Sequence, residues 1–289
     1  MDIMKKYIGN WEQLTDEQKK QAEKQFRGTA GLNSAVVHPA AKFFEENKWV
    51  KIDNFIDSNM ANLLYHHTQL ETARLNWYEE NNIQTHKDIH GTFTDKQAPG
   101  DFSKYGDAIM DTLLSLSLEQ MQTLTGYNLT PTYSYHRLYT KGTELEIHKD
   151  RPSCEISTTL CLGYDNSNID VSKYPDWDWP LFIKEKNGDE TPIHMKPGDM
   201  IIYRGCELSH WREPLLANNH AQVFLHYNEK GGEYDIPFDG RPLLGMSGDF
   251  RSPESMKINE TNVHQKYKDK DNDTITEKKV INTPKKIIY

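Results

Sequence analysis

The chain has 289 residues, 27% of them charged, with a formal net charge of −9 and three cysteines. That length suits one generous domain or two small ones, and the acidic balance excludes non-specific binding to nucleic acid or anionic membrane, which needs a basic surface. No apolar run approaches the ~20 residues that cross a bilayer, the N-terminus lacks a signal-peptide apolar core, and Cys154, Cys161 and Cys206 are too few and irregular for a disulfide framework or zinc knuckle. A reduced, cytoplasmic protein is expected.

Residues 1–36 form a polar extension rich in Lys, Gln and Glu. Within it Thr15 as N-cap and Gln18 three residues on predict a helix start. Trp49 to Phe55 alternates as a short strand. Asp57 or Ser58 then caps a helix that carries Met60, Leu63, Leu64 and Leu70 close to one face. A second helix is marked by Tyr105, Ile109, Leu113, Leu116, Met121 and Leu124, and is ended by Gly126 and Pro131. Both helices are expected to cover one side of a sheet.

From Pro131 the apolar period changes to two. Strands are predicted over residues 132–140, 144–149, 155–163, 180–186, 192–195, 199–204 and 221–228, with turns at Lys141-Gly142, Asn187-Gly188 and Pro197-Gly198. Many short strands with Gly-bearing turns predict a mainly β chain with flanking helices, an antiparallel jelly-roll barrel, and no glycine-rich phosphate loop argues for a nucleotide fold. The domain is expected over residues 37–245. Residues 246–289 read as a peripheral charged tail, alternating in sign at Lys266-Tyr267-Lys268-Asp269-Lys270-Asp271, and open to a partner-binding role.

The chemistry concentrates at Ile147-His148-Lys149-Asp150. Residues two apart on a strand share a side, so His148 and Asp150 offer an imidazole and a carboxylate to one metal. A second histidine completes a two-His, one-carboxylate set that leaves positions open and suits non-haem Fe(II). His86-Lys87-Asp88 repeats the tripeptide, with His90 beyond it, but in a polar stretch without a strand pattern, where a surface loop is the plain reading. Among His194, His210, His220 and His226, His210 follows the apolar strand Met200–Tyr203, and a strand end is rigid enough to aim a ligand.

The segment from Tyr139 to Asp150, with Gly142, His148 and Asp150, resembles the Tyr-x-x-Gly-x-x-x-x-x-His-x-Asp segment of 2-oxoglutarate-dependent Fe(II) oxygenases of the prolyl-hydroxylase-like and AlkB-like kinds. Pro197 to His210 matches the same families, and the similarity runs from about Trp49 to Asn228. It implies a double-stranded β-helix barrel in which His148, Asp150 and His210 bind iron and are the catalytic centre. It also implies that 2-oxoglutarate chelates the metal and goes to succinate and carbon dioxide while O2 hydroxylates a substrate C–H bond, with ascorbate as an optional reductant.

A co-substrate with two carboxylates requires a basic or hydroxyl-bearing wall. Tyr133, Tyr135, Arg137 and Tyr139 share one face of their strand, and the resemblance makes Tyr139 the contact to 2-oxoglutarate, with Arg137 its neighbour. Prolyl-hydroxylase-like members carry Lys or Arg about ten residues after the distal histidine; here His220 stands there, with Gln222 on the same face. Arg212 is the preferred anchor for the far carboxylate, with Lys184, Arg151 and Arg137 as rivals. The loop 83–103 and the acidic, aromatic insertion 165–179 are placed at the barrel mouth, where the insertion would favour a neutral or cationic substrate such as a peptide segment or free amino acid. A solvated loop with Trp177 and Trp179 tucked under it explains the same residues. Two other readings stay open: a cupin-like metal isomerase or 2-oxoglutarate-independent dioxygenase, and a non-enzymatic barrel that recruits a partner. Oligomeric state is not legible.

Overall fold

Two antiparallel sheets face each other to make a jelly-roll barrel in the computed structural model, which describes residues 38–170, 172–174, 177–185 and 187–260, together with Thr15. The rest of the helix start expected at residues 15–18, and the charged run 266–271, lie outside the described residues. In chain order the elements are α1 (Pro39–Asn47), β1 (Trp49–Ile52), α2 (Ser58–Glu80), α3 (Lys87–His90), β2 (Phe102–Tyr105), α4 (Ala108–Leu116) and α5 (Leu118–Thr125). The strands β3 (Leu129–Thr140), β4 (Leu145–His148), β5 (Ile156–Asp165), β6 (Leu181–Lys184), β7 (Glu190–Ile193), β8 (Met200–Arg204), β9 (His210–Arg212) and β10 (Asn219–Glu229) follow, and α6 (Pro253–Glu260) closes the described chain.

The larger sheet runs β1-β8-β5-β10-β3-β2 and the smaller β4-β9-β6-β7. Each predicted strand from 132 onward exists, with ends displaced by at most three residues, as expected for boundaries. The larger sheet is covered on both sides, by α2, α4 and α5 outside and the smaller sheet inside. This is why eight consecutive residues of β5 are buried, whereas the edge strand β4 buries Leu145 and exposes Glu146 and Ile147. The main core joins Leu64, Leu75, Met110, Leu114 and Met121 of the helices to Ile156, Leu160, Ile202, Val223 and Leu225 of the sheet.

The helices depart from expectation in two ways. Asp57 does cap α2, accepting from the N–H groups of Asn59 and Met60. The buried face, however, is Ala61, Leu64, Thr68, Glu71, Thr72 and Leu75, while Met60, Leu63 and Leu70 face outward. Buried charge decides the face. Glu71 must meet Lys104, whose Nζ donates to Glu71 Oε2 and Asp107 Oδ2, both at 2.7 Å, and two threonines return their hydroxyls to the helix's own carbonyls. The second predicted helix breaks at Ser117 into α4 and α5, so Met110, Leu114, Met121 and Leu124 stay buried while Ile109 and Leu116 are exposed.

Residues 246–260 are no loose tail. Ser255 and Asn259 of α6 are buried and bond Asp239, which also accepts from Ser153 Oγ at 2.6 Å. Low hydrophobicity concealed this docking because polar groups carry it.

Buried neutral histidines make the fold acid-sensitive. Burial pushes His136 down to about 3 and His220 well below its ordinary range. In the unfolded chain each takes a proton as pH falls through ~6.5, whereas in the folded chain His136 resists until about 3 and burial holds His220 neutral well below its ordinary range. Their stabilising contribution is complete above that upper value and shrinks as pH falls toward the lower one. Thermal melts of chelator-treated protein are expected to show a Tm lower by ~5–10 °C at pH 5 than at pH 7.5, with the pH slope reduced in His136→Asn. A flat Tm across that window would refute the assignment.

Candidate metal centre and co-substrate pocket

Strand pairing builds the centre. β4 and β9 are antiparallel neighbours in which His148 stands opposite His210, their rings 4.3 Å apart between centroids. Asp150 follows just beyond β4, and its N–H donates to Gly205 O at 2.9 Å, tying it to the end of β8. Gly205 lies so close to the carboxylate that a Cβ there would strike Asp150 Oδ2 and Ser157 Oγ. His148 and Asp150 come from the end of β4 and His210 from the start of β9, so two strand ends hold the three residues.

Their ligand atoms converge. Asp150 Oδ1 lies 3.7 Å from His148 Nε2 and 3.5 Å from His210 Nε2. Donors held ~2.1 Å from one metal stand roughly 3–3.6 Å apart, so small side-chain adjustments complete a site. Ring polarity also fits. His148 Nδ1 donates to Glu146 O at 2.7 Å and His210 Nδ1 to Leu208 O at 3.0 Å. A carbonyl can only accept, so each Nε2 presents its lone pair inward. Burial and the neighbouring His210 push His148 down to about 4, which keeps that lone pair unprotonated at neutral pH. Burial opposes ionisation of Asp150, but the charge and hydrogen bond of His210 and the charge of His148, when these imidazoles are protonated, more than offset it and hold the carboxyl well below its usual range. Ser157 Oγ bonds Oδ2 at 2.6 Å and leaves Oδ1 for a metal.

Among the described residues one other donor cluster exists, His67, Glu71 and His136. Its carboxylate already faces the Lys104 ammonium, a resident cation. The His86 copy does not converge on a metal. His86 Nε2 faces Asp249 Oδ2 at 2.8 Å, Asp88 Oδ2 accepts from Ser247 Oγ and Gly248 N, and His90 Nδ1 accepts from His86 N.

The centre opens into a cavity of about 760 Å³. The expected tyrosine and arginine face of β3 divides in two. Tyr133, Tyr135 and Arg137 line the cavity; Tyr139 is fully buried outside its lining, edge-on to Trp179, its hydroxyl accepting from Arg137 Nη1 at 3.2 Å. Gln222 stands opposite Arg137 in the sheet but is buried away from the cavity, its Oε1 accepting from Thr159 Oγ1 at 2.8 Å. Lys184 does not line the cavity either. Arg137 is paired with Asp95 at 2.9 Å and Arg151 with Asp239 at 2.8 Å.

Arg212 is different. It lines the cavity at 2% exposure, stacks 4.7 Å over the Trp179 ring, and donates Nη1 to Trp179 O. Among the described residues it makes no ion pair with a carboxylate, and buried Nη2 has no partner. Burial without a counter-ion lowers its pKa to about 10. A buried guanidinium in this condition is costly unless an anion arrives.

Several lining residues escaped sequence reading. Asp95 reaches in from the loop after α3, holding Arg137 and the Tyr135 hydroxyl. His226, considered only as a metal ligand, lines the cavity and sits 3.2 Å from Ser157 Oγ. Gly248, Asp249 and Arg251 come from the segment read as tail. Nothing local in those stretches signals the cavity, since long-range polar bonds bring them there. The loop 83–103 does reach the mouth through Lys87, Asp88 and Lys96, but the described residues of the insertion 165–179 do not line it. Trp179 is buried and its Nε1 donates to Glu213 O, while Trp177 packs edge-on to Tyr164.

No family model and no curated protein sequence matches the chain. Among solved structures it is similar to a prolyl-4-hydroxylase from Pseudomonas putida, at TM-score 0.50 and 12% identity over 67% of this chain and 99% of that one. EctD from S. alaskensis with bound Fe aligns at TM-score 0.49 and 15% identity, over 72% and 82% of the two chains. A prolyl hydroxylase from Trichoplax adhaerens, in complex with a hypoxia inducible factor peptide fragment, aligns at TM-score 0.46 and 16% identity, over 74% and 96%. The first of these likenesses establishes the fold: the chain is a double-stranded β-helix, as that prolyl-4-hydroxylase is.

Proposed function

We propose that this chain is a non-haem Fe(II) dioxygenase that couples oxidative decarboxylation of 2-oxoglutarate to hydroxylation of a substrate C–H bond, on a free or peptidyl amino-acid side chain. The observation that carries the reading is the meeting, in one cavity, of the His148, Asp150 and His210 donor set with the acid-free guanidinium of Arg212. The donor set alone would serve many metal enzymes. A buried positive charge waiting beside it selects an anionic co-substrate.

In this reading one oxygen atom of O2 enters succinate and the other enters the substrate, with carbon dioxide released. Iron bound to His148, Asp150 and His210 supplies the one-electron chemistry that activates O2. The protein's own work is placement. The backbone carbonyls of Glu146 and Leu208 fix the two imidazoles, Ser157 fixes the carboxylate, and Arg212 takes the far carboxylate of 2-oxoglutarate as a fork. Arg137 and the Tyr139 hydroxyl support that end of the cavity, while Gln222 stands behind it. Ascorbate as auxiliary reductant and a cytoplasmic location belong to the same proposal; among the described residues no helix is long and apolar enough to cross a membrane.

Anaerobic addition of Fe(II) and 2-oxoglutarate is expected to give the weak visible charge-transfer band of the chelate, and admission of oxygen to yield succinate. Iron binding without that band would replace this reading with a metal enzyme that does not use 2-oxoglutarate. Failure to bind iron would end it.

A further inference from the structure

The cavity carries the opposite charge to the protein around it. Basic side chains outnumber acidic ones by seven to four along its lining, on a chain of formal charge −9. The acids are already engaged. Asp150 belongs to the donor set, Asp95 pairs with Arg137, Asp249 faces His86, and Asp88 accepts from Ser247 Oγ and Gly248 N at 2.7 Å each. Filling the Arg212 end with 2-oxoglutarate leaves an excess of positive charge elsewhere.

Part of that excess sits on one wall. Arg151 and Arg251 share a single fully buried carboxylate, Asp239, at 2.8 and 3.5 Å. Asp239 also accepts from Ser153, Ser255, Asn259 and the Tyr105 hydroxyl, so one negative charge serves two guanidiniums and four further donors. The arginines remain partly open, with side chains 24% and 29% exposed. Beneath them lie two flat rings. Arg151 sits 4.4 Å over Tyr133, Arg251 sits 5.9 Å over Tyr105, and the rings stack at 4.8 Å.

Resting on the oxygenase reading, we propose that this wall is the substrate's anion subsite. Arg151 and Arg251 grip a carboxylate of a small organic or amino acid, and the stacked Tyr105 and Tyr133 rings, already covered by Arg241 and His226, are the floor that holds the guanidiniums. Guanidiniums suit this task because their forks match a carboxylate in geometry and remain charged when partly desolvated. A basic hollow in an acidic protein also focuses the field and draws anions selectively to the site. The acidic insertion, which pointed to a neutral or cationic substrate, does not border the cavity with its described residues and has no vote here.

Calorimetric titration of the full-length protein, loaded anaerobically with Fe(II) and saturating 2-oxoglutarate, tests this with benzoate and its neutral isostere benzamide as probes. Benzoate is expected to bind at least about tenfold more tightly, the least that one charge-assisted bond supplies. Arg251→Gln and Arg151→Gln should each erase that preference while benzamide affinity stays. Equal affinity for the two probes, no measurable benzoate heat, or benzoate displaced by further 2-oxoglutarate would overturn the subsite, the last because it would put benzoate on Arg212. The charge-transfer band recorded on the same samples separates the failures. A missing band refutes the oxygenase reading, whereas a present band with no acid preference refutes only the subsite.

Discussion

Alanine at His148, Asp150 or His210 is expected to abolish iron-dependent succinate formation, with activity reduced at least ~10³-fold and iron affinity by several orders of magnitude. Each substitution deletes one of the three proposed protein ligands, and at Asp150 also the negative charge that would offset the metal. The barrel should stay cooperative, because the core of Ile156, Leu160, Ile202 and Val223 lies apart from these side chains. The chain holds its own control. His86→Ala should leave iron binding intact, since His86 faces Asp249 rather than a metal donor set. Atomic absorption on the purified variants and a succinate assay check both halves. Equal losses at His86 and His148 would show that the wrong His-x-Asp had been chosen.

The second large effect is expected at Arg212. Arg212→Met should raise the 2-oxoglutarate requirement about 100-fold, the loss of roughly 3 kcal/mol that two charge-assisted hydrogen bonds supply. Folding should not suffer, and the unliganded protein should gain Tm, because the substitution removes a buried charge that has no acidic partner among the described residues. Arg212→Lys should not rescue fully, since a point charge cannot reproduce the fork. A metal-binding variant with unchanged 2-oxoglutarate dependence would transfer the anchor to Arg137. The two variants therefore separate metal loss from co-substrate loss.

Strands were the most readable part of this chain. Alternation names the inner face of a sheet with two-residue resolution, so β3 to β8 and β10 follow from local pattern, whereas the three-residue β9 and the ladder that sets His148 beside His210 do not. Helix faces were less readable. Leu63 and Leu70 look like core by periodicity, but the buried face of α2 was chosen by Glu71 meeting Lys104, a contact 33 positions away in sequence. The cavity wall was the least readable. Arg251 sits in a polar run that resembles a solvated tail, and only the bonds that converge on Asp239 give that run a fixed place. Arg212 lies between these cases, since its sequence position suggested an anchor and its missing counter-ion could be seen only in three dimensions.

The docking of α6 on Asp239 also imposes an order on biosynthesis. The ligand residues 148, 150 and 210 leave the ribosome before 237–260, which hold Arg151 and supply Arg251. Because a domain folds as a unit, Arg151 and Arg251 gain their fixed places only once Asp239 and α6 have emerged. In the proposed oxygenase the metal ligands thus emerge before Arg251, and α6, the last of the described helices, is the one that fixes the wall of the proposed subsite.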